Sequence, residues 1–420
     1  MGKKLAIQGG EKLAKEAFPP WPSLAEKSIQ RAAEVLRSGK INYWTGPLGQ
    51  EFERKWAEYN GARFGISTSN GTSALHTAVA SLGIGPGDEV ICPSYSFIAS
   101  SFCVLQAGAL PVFADTGTDH VIDPAEIEKN ITERTRGIIV VHLYGIVADM
   151  DPIMAIARRH NLFVIEDCAQ AFGGEYKGRK VGTIGDAGCF SFCQSKHFTT
   201  GGEGGAVITD NEDLSWKCKG FRDHGYDVKQ RLNLLDLEAK LMYIHNQIGF
   251  NYRMTEMQSA IGLAELERFP DWNLPNRRKN GKFILEKLKK HPLVLHLPPD
   301  TEERKNAYWW CPVVIDSEKI SVSTKEFVAA MNAEGVPAYT VLWPEMYKES
   351  VYAERNGFGL ANYPFHDPKA RNIDYSRFNC KTAHWLTERT ISFFTHPVYS
   401  EKHMQLMIDA FCKVADAFMK

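Results

Sequence analysis

One lysine of this sequence stands between an apolar stretch and a run of glycines. Residues 190–205 read FSFCQSKHFTTGGEGG, and Lys196 is the only lysine among them. A lysine amine in such a place can bind an aldehyde cofactor as a Schiff base, provided that burial or a neighbouring cation depresses its pKa and that no bulky side chain blocks a flat ring. The pattern therefore indicates a pyridoxal phosphate (PLP) site. The alternative is a solvated surface charge, which most lysines are.

An acidic residue follows an earlier predicted strand. The apolar residues 162–165 (LFVI) indicate a buried strand, and Glu166 and Asp167 come directly after it. Ligands of open α/β sheets gather outside the carboxyl ends of the strands, so a carboxylate there can pair with a pyridinium nitrogen. PLP withdraws electrons only while that nitrogen stays protonated. The N-cap of a following helix is an equally good interpretation of Asp167.

A third segment has the composition of a phosphate cradle. Residues 67–76 (STSNGTSALH) lead from a short predicted strand at 64–67, through Gly71, into a helix rich in Ala and Leu. The free backbone N–H groups and the dipole of such a helix start attract a phosphate, and Thr72 and Ser73 add hydroxyl donors. An ordinary capped helix start explains the same residues. The cradle, the acid and the lysine together occur in the order that a PLP enzyme needs.

Several motifs beyond these three resemble the DegT/DnrJ/EryC1/StrS family of sugar and cyclitol aminotransferases, over almost the whole chain. The matching segments are residues 38–53, 70–75, 85–90, 141–145, 166–171, 190–205 and 249–254. The resemblance implies the α/β class and a fold-type I PLP-dependent transferase. Such a protein has a large domain, with a mainly parallel mixed sheet flanked by helices, and a smaller C-terminal α/β domain.

The resemblance also implies roles for single residues around the cofactor ring. Lys196 corresponds to the Schiff-base lysine and proton shuttle, and Asp167 to the partner of the pyridinium nitrogen. Gln170 corresponds to a position, His or Gln in the family, that lies against the ring and its phenolic oxygen. Phe97 corresponds to the aromatic residue that stacks on the pyridine face, although its own surroundings in the sequence favour a core phenylalanine.

The cofactor phosphate has its own set of predicted ligands. Gly71, Thr72 and Ser191 correspond to phosphate-binding positions of the family, beside the hydroxyl group of Ser73 expected from the helix start. Asn251, which follows the segment 236–250, corresponds to an asparagine that reaches the phosphate of the neighbouring subunit. The resemblance therefore implies a homodimer with shared active sites.

Two departures from the family pattern lie near the predicted site. The doubled glycine at Gly201 and Gly202 adds one residue between the lysine and Glu203 relative to many members, so Glu203 is expected to be displaced. Near the C-terminus, residues 394–397 read FTHP where relatives often have a Leu-Pro pair. This second departure affects the expected substrate-side wall of the site.

The family chemistry implies amino transfer from glutamate or glutamine to a keto-sugar or keto-cyclitol, either a scyllo-inosose-like ring or a nucleotide-linked keto-sugar. The overall likeness favours the antibiotic-type branch. A PLP-dependent sugar dehydratase or an aminohydroxybenzoate synthase-type lyase is the second hypothesis, and a non-catalytic regulatory protein on the same fold is the third. Family dehydratases replace the lysine with histidine, but the spacing from Ser191 puts Lys196, and not His197, in the catalytic place.

Seven further residues are candidates to line the substrate pocket, although packing or a subunit interface would explain each of them equally well. They are Tyr43, Trp44, Tyr95, His142, Tyr144, His224 and Arg253.

Composition agrees with a globular enzyme of more than one domain. The 420 residues are 44% hydrophobic, enough for large cores, and the formal net charge is −1. No basic stretch is dense enough to follow a nucleic-acid backbone. The apolar part of residues 1–7 is too short for a signal peptide, and no apolar run approaches the roughly 20 residues that span a bilayer. We expect a cytoplasmic protein with no nucleic-acid or membrane partner.

Cysteine and histidine spacing argues against disulfides and metal sites. The nine cysteines form no Cys-x-x-Cys pair and the 13 histidines no His-x-x-x-His pair, so we predict reduced thiols and no metal.

Strand and helix patterns alternate over 64–210, which is typical of a parallel sheet. The prolines at 270 and 275 predict a break in the helix that begins near Thr255. We therefore predict a large domain at 1–270 and a small one at 271–420.

Overall fold

The strands of the molecule form one large sheet and two smaller ones. The computed structural model describes residues 4–234, 243–341 and 343–420. The strands are β1 (Phe64–Thr68), β2 (Glu89–Pro93), β3 (Leu110–Ala114), β4 (Thr135–Val141), β5 (Phe163–Asp167), β6 (Glu175–Tyr176), β7 (Arg179–Lys180), β8 (Ala187–Ser191), β9 (Gly205–Thr209), β10 (Val294–His296), β11 (Arg304–Lys305), β12 (Trp310–Ile315), β13 (Ala338–Tyr339) and β14 (Thr390–Phe394).

Helices cover the sheets and connect most of their strands. They are α1 (Glu26–Ser38), α2 (Leu48–Asn60), α3 (Gly71–Ser81), α4 (Ala99–Gln106), α5 (Pro124–Lys129), α6 (Met150–His160), α7 (Glu212–Arg222), α8 (Val228–Leu234), α9 (Glu256–Arg268), α10 (Leu274–Leu288), α11 (Thr324–Ala333), α12 (Ser350–Ala353), α13 (Lys381–Thr387) and α14 (Glu401–Phe418).

The central sheet has seven strands in the order β1-β9-β8-β5-β4-β2-β3. Strand β9 is antiparallel to both of its neighbours, and all other pairs are parallel. The predicted α/β fold with a mainly parallel mixed sheet is therefore confirmed. Because β1, β5 and β8 run in the same direction, their carboxyl ends share one edge of the sheet. The three predicted site segments follow those ends.

The predicted break near residue 270 takes the form of a π-helical turn between two α-helices. Helix α9 ends at Arg268, a π-helical turn follows at Phe269–Asn273, and α10 begins at Leu274. Pro270 lies in the first turn of the π-helical segment and Pro275 in the first turn of α10. A proline costs little there, because the first N–H groups of a helix have no intrahelical acceptor.

Two hydrophobic cores stabilise the chain. The first surrounds the central sheet and also contains Met346, Tyr352 and Tyr375 from the C-terminal part of the sequence. The second contains residues of α10, α11 and α14 and of the antiparallel sheet β10-β12-β14-β13, together with Leu5 and Ala14 from the N-terminal segment. Both ends of the sequence thus take part in the second core. The division into domains at 270 remains a prediction.

The cysteines have the state that the sequence predicts. All nine are free, and seven of them are buried. In the described ranges, no helix has both the length and the apolar character needed to cross a membrane.

Candidate active site

The three predicted site segments enclose a single cavity of about 620 Å³. Eight of the nine residues that the sequence predicts for the cofactor site line it. They are Gly71, Thr72, Ser73, Phe97, Asp167, Gln170, Ser191 and Lys196. Its volume lies within the range of roughly 300–1,000 Å³ that is common for ligand pockets.

The amine of Lys196 enters this cavity from the loop after β8. Burial lowers the pKa of Lys196 below its ordinary value, although Asp167, Cys193 and Glu203 act in the opposite direction. The Nζ atom lies 4.5 Å from the centre of the Trp309 ring. A lowered pKa increases the fraction of neutral amine, which is the form that attacks an aldehyde.

Asp167 is the last residue of β5, and its carboxylate is buried in the wall of the cavity. Ser100 Oγ donates a hydrogen bond to Oδ2 at 2.7 Å, and the backbone N–H of Ala169 donates to Oδ1 at 3.1 Å. No helix begins after Asp167, so the N-cap interpretation is wrong. Burial raises the pKa of Asp167, with Ser100 opposing the rise. Such a carboxylate gains most from a cationic partner such as a pyridinium.

Glu166, one residue earlier, has a structural role. Its carboxylate accepts hydrogen bonds from the backbone N–H groups of residues 182, 184 and 185 at 2.7–2.8 Å, and lies 3.1 Å from His142 Nε2. Burial favours the neutral acid, but His142 and the backbone donors outweigh it and lower the pKa of Glu166.

Three buried side chains at this point could hold a metal ion by distance alone. The ligand atoms of His142, Glu166 and Cys168 lie within 4.8 Å of one another. Both oxygens of Glu166 already accept backbone hydrogen bonds, and His142 Nδ1 accepts from the N–H of Ala148 at 3.1 Å. This hydrogen-bond network accounts for His142 and Glu166 without an ion.

Helix α3 begins in the cavity with an unusually complete N-cap. The side chain of Asn70 accepts from the N–H of Ser73 at 2.8 Å, while Ser73 Oγ accepts from the N–H of Asn70 at 3.1 Å. The capped-helix interpretation is thus correct for Asn70 and Ser73. The cap leaves the N–H groups of Gly71 and Thr72, which precede the first intrahelical bond, as donors for an anion. Thr72 adds its hydroxyl group.

Gly71 is required by the close approach of Ser191. A Cβ atom on Gly71 would lie 2.6 Å from Ser191 Cβ, a distance that side chains do not adopt. Ser191 ends β8 and is buried, and its hydroxyl group lines the same cavity. The absence of a side chain at 71 therefore places the start of α3 directly against Ser191.

Phe97 and Gln170 both line the cavity. Phe97 is 46% exposed, so the core-phenylalanine alternative is wrong, and its ring contacts that of Trp343 edge-on at 6.0 Å. The Gln170 side chain is buried, and its Oε1 accepts from the backbone N–H of Tyr144 at 2.7 Å. That bond orients the amide and leaves its NH₂ group as the donor.

The doubled glycine forms a tight turn that keeps Glu203 in the site. Gly201 and Gly202 have φ angles of +94° and +116°, which favour glycine. The N–H of Gly202 donates to Thr199 Oγ1 at 2.9 Å, and Glu203 lines the cavity.

Residues 394–397, the second departure from the family pattern, do not line the cavity that contains Lys196. Phe394 and His396 line another cavity of about 580 Å³. It shares Ser195 and Trp310 with the cofactor cavity.

The sequence did not reveal the aromatic wall of the site. Trp309, Trp310 and Trp343 line the cavity, as does Gln106. The available signal was the adjacent pair Trp309-Trp310, whose rings stack at 4.4 Å in the structure. Ser100, the donor to Asp167, was also missed, and nothing in its local sequence distinguishes it.

The seven candidate substrate residues do not line this cavity. Tyr43, Tyr95, His142 and Tyr144 are buried, and the hydroxyl groups of Tyr95 and Tyr144 lie 2.8 Å apart. The other three side chains converge on the carboxylate of Asp223. They are Trp44, His224 and Arg253.

Asn251 is exposed and does not line the cavity of its own chain. Its neighbour Tyr252 does line it, and the carbonyl of Tyr252 accepts from the N–H of Ser69 at 2.7 Å. Of the segment 236–250 that precedes Asn251, residues 236–242 lie outside the described residues. The cross-subunit role of Asn251 stays a prediction.

The residues of the cavity fit pyridoxal phosphate. An amine suited to an aldehyde, a buried carboxylate suited to a pyridinium and a helix start suited to a phosphate surround one space, with an aromatic ring at its side. Together with the fold, this donor set defines the class of PLP-dependent transferases.

Sequence comparison assigns the family. The chain belongs to the DegT/DnrJ/EryC1/StrS aminotransferase family, whose sequence model matches residues 22–411. Aminotransferases of this family use PLP, and the chain is a PLP-dependent aminotransferase.

Named relatives and a solved structure support the assignment. The GDP-perosamine synthase of Caulobacter vibrioides is 40% identical over 305 residues, or 72% of this chain and 78% of the relative. The L-glutamine:2-deoxy-scyllo-inosose aminotransferase of Streptomyces lividus is 34% identical over 380 residues, 88% of this chain and 89% of the relative. An aminotransferase structure from Psychrobacter cryohalolentis superposes with a TM-score of 0.86 at 35% identity and covers 95% of this chain and 99% of that one.

Proposed function

We propose that this protein transfers an amino group from glutamate or glutamine to a keto group on a sugar or cyclitol ring. The observation that carries the proposal is the placement of Lys196, Asp167 and the start of α3 around one cavity. The relatives named above act on a nucleotide-linked sugar and on a cyclitol, so both classes of acceptor are candidates.

Each cavity residue has a chemical task in this reaction. When bound, the cofactor supplies an aldehyde that accepts the amino group and a ring that withdraws electrons from the reacting carbon. Asp167 would hold the proton on the ring nitrogen, and the N–H groups of Gly71 and Thr72 would hold the phosphate. Phe97 would supply an aromatic contact for the ring.

Lys196 performs the proton transfers. As a neutral amine, Lys196 would take the proton from the carbon that bears the amino group of the donor, and as an ammonium it would give that proton back within the cavity. The same amine would serve the keto acceptor in the opposite direction. Such general acid–base transfer typically contributes about 10²–10⁴-fold to the rate.

The lyase hypotheses differ from this proposal in the fate of the substrate. A dehydratase that uses histidine is disfavoured, because His197 Nε2 contacts the backbone carbonyl of Ala307 at 3.0 Å and its ring stacks on Phe172 at 5.1 Å. Burial lowers the pKa of His197 well below its ordinary value. Its ring therefore stays neutral in a packed position, and Lys196 is the group in the cavity.

A panel of keto substrates tests the proposal. We expect amino transfer to a keto-cyclitol or a nucleotide-linked keto-sugar, with either glutamine or glutamate as donor, and formation of the matching amino product measured by mass spectrometry. Loss of water from the acceptor without gain of an amino group would instead identify a lyase.

We further propose a cytoplasmic homodimer in which Asn251 reaches the cofactor phosphate of the partner subunit. Two side chains close to Asn251 support an interface there, since Ile248 and Phe250 are 82% and 40% exposed. Exposed apolar groups that lie together commonly mark contact surfaces. A two-fold dimer uses the same surface of both subunits, so it would place Asn251 once at each site.

Subunit exchange tests the shared site. Asn251→Ala should weaken cofactor retention, and Lys196→Ala should lower turnover by about 10²–10⁴-fold or more. In a mixed dimer, one site carries both defects and the other neither, so an equal mixture should regain about one quarter of wild-type activity. Mass spectrometry of the intact dimers confirms the exchange. If exchange is complete and activity stays at the level of the parents, the shared site is refuted.

A further inference from the structure

The loop that carries Lys196 is held by side chains from distant parts of the sequence. Trp309 Nε1 donates to the carbonyl of Ser195 at 2.5 Å, and Trp21 Nε1 donates to the carbonyl of Lys196 at 3.0 Å. Asn273 Nδ2 donates to the carbonyl of His197 at 2.5 Å. Three consecutive carbonyl groups are thus fixed, which limits the positions that the lysine side chain can reach.

Only one of these donors also faces the lysine amine. Nζ of Lys196 lies 4.5 Å from the centre of the Trp309 ring, within the distance at which a cation is attracted to an aromatic face. Trp309 is 2% exposed, and its ring lies nearly parallel to those of Trp310 at 4.4 Å and Trp343 at 6.1 Å. The stack fixes the orientation of the ring, and burial strengthens its interaction with a charge.

The proton transfers proposed for Lys196 require that its buried amine can change between a neutral and a charged state. The amine must be neutral to accept a proton and positively charged to deliver it, and burial opposes the charged form. A strong salt bridge would keep the amine protonated. An aromatic face stabilises the ammonium by a smaller amount and takes no proton from it.

We propose that Trp309 is a positioning residue for Lys196, which fixes the lysine loop through its N–H group and stabilises the protonated amine through its ring. This role rests on the proposed function only in that Lys196 moves protons. The charged and titratable groups around Nζ are Asp167 at the end of β5, Cys193 and Glu203 from its own loop region, and the adjacent His197. All four are retained in the variants below.

Three variants separate the two contacts of Trp309. Trp309→Leu removes both the ring and the N–H group, whereas Trp309→Phe keeps a ring face and removes only the N–H group. Trp21→Phe is the matched control, because it removes a hydrogen bond to the same loop and leaves the surroundings of Nζ unchanged. Circular dichroism and thermal unfolding show which variants keep the fold. If Trp309→Leu does not fold, Trp309→Met replaces it as the variant without a ring.

The measurement is the pKa of Lys196 in the full-length protein loaded with pyridoxamine phosphate, in which the lysine amine is free. Trace acetylation at a series of pH values, with the Lys196 peptide quantified by mass spectrometry, gives this pKa directly. We expect the pKa to fall by about one unit in Trp309→Leu, to change by less in Trp309→Phe and to be unaltered in Trp21→Phe.

Two results would overturn the proposal. A pKa that stays the same or rises in Trp309→Leu excludes stabilisation of the ammonium by the ring. Equal shifts in Trp309→Leu and Trp21→Phe assign the effect to loosening of the loop in general. Failure of the proposed substrate assignment would leave these measurements unaffected, since they need no acceptor substrate.

Discussion

Replacing Lys196 by alanine should remove both the yellow colour and the turnover of the protein. A Schiff base between Nζ and the aldehyde carbon would extend the conjugation of the pyridine ring, so we expect the visible absorption to depend on this amine. Among the described residues that line the cavity, Lys196 is the only one with an amine. The variant should bind PLP weakly through the phosphate cradle, and turnover should fall by about 10²–10⁴-fold or more. Absorption spectra and steady-state rates measure both effects.

Borohydride reduction identifies the amine directly. It should fix the cofactor to the Lys196 peptide of the wild-type protein and to no peptide of Lys196→Ala. Lys180→Ala is a matched control, because burial also lowers the pKa of Lys180, which lies over the Tyr59 ring at 3.7 Å and outside the cavity. This variant should stay yellow. Fixation of the cofactor to a lysine other than Lys196 would show that the assignment is wrong.

The parts of the site that could be predicted from sequence are those encoded locally. Glu166 and Asp167 follow four apolar residues, and parallel pairing of β5 with β8 brings the Asp167 carboxylate to the same edge as Ser191. Gly71 lies at a strand-to-helix turn, where the next N–H groups are necessarily free. For these residues the element and its direction determine the position of the functional group.

Contacts between distant segments could not be predicted in this way. Trp309 reaches the lysine loop from the start of β12, and Trp21 reaches it from the N-terminal segment. The same holds for Tyr95 and Tyr144. Their residue type suits a substrate pocket, but in the structure both side chains are buried and their hydroxyl groups contact each other. A sequence pattern gives the face of an element on which a side chain lies, whereas the partner of that face depends on how the elements pack.

Asp167→Asn should separate cofactor binding from turnover. The variant keeps Lys196 and the phosphate cradle, so it should still bind PLP and remain coloured. Its neutral amide cannot hold the proton of the ring nitrogen, and the ring then loses its capacity to withdraw electrons. Hydrogen bonds to charged groups contribute ~1.5–3 kcal/mol, so we expect turnover to fall by at least about 10- to 100-fold. The loss is measured as the ratio of the wild-type rate to the variant rate, both at saturating amino donor and keto acceptor.

The control for Asp167→Asn is a second aspartate whose pKa burial also raises. Asp186 accepts a hydrogen bond from the N–H of Val164 at 2.7 Å and does not line the cavity. Asp186→Asn should fold and leave turnover close to wild type, because its amide oxygen can still accept from the N–H of Val164. Asp167→Asn should also fold but lose turnover, because the amide fills the same volume while the charge at 167 acts on the reaction. Near-normal turnover in Asp167→Asn would remove Asp167 from its assigned role. Equal losses of turnover in the two variants would show that the effect is not specific to the carboxylate of Asp167.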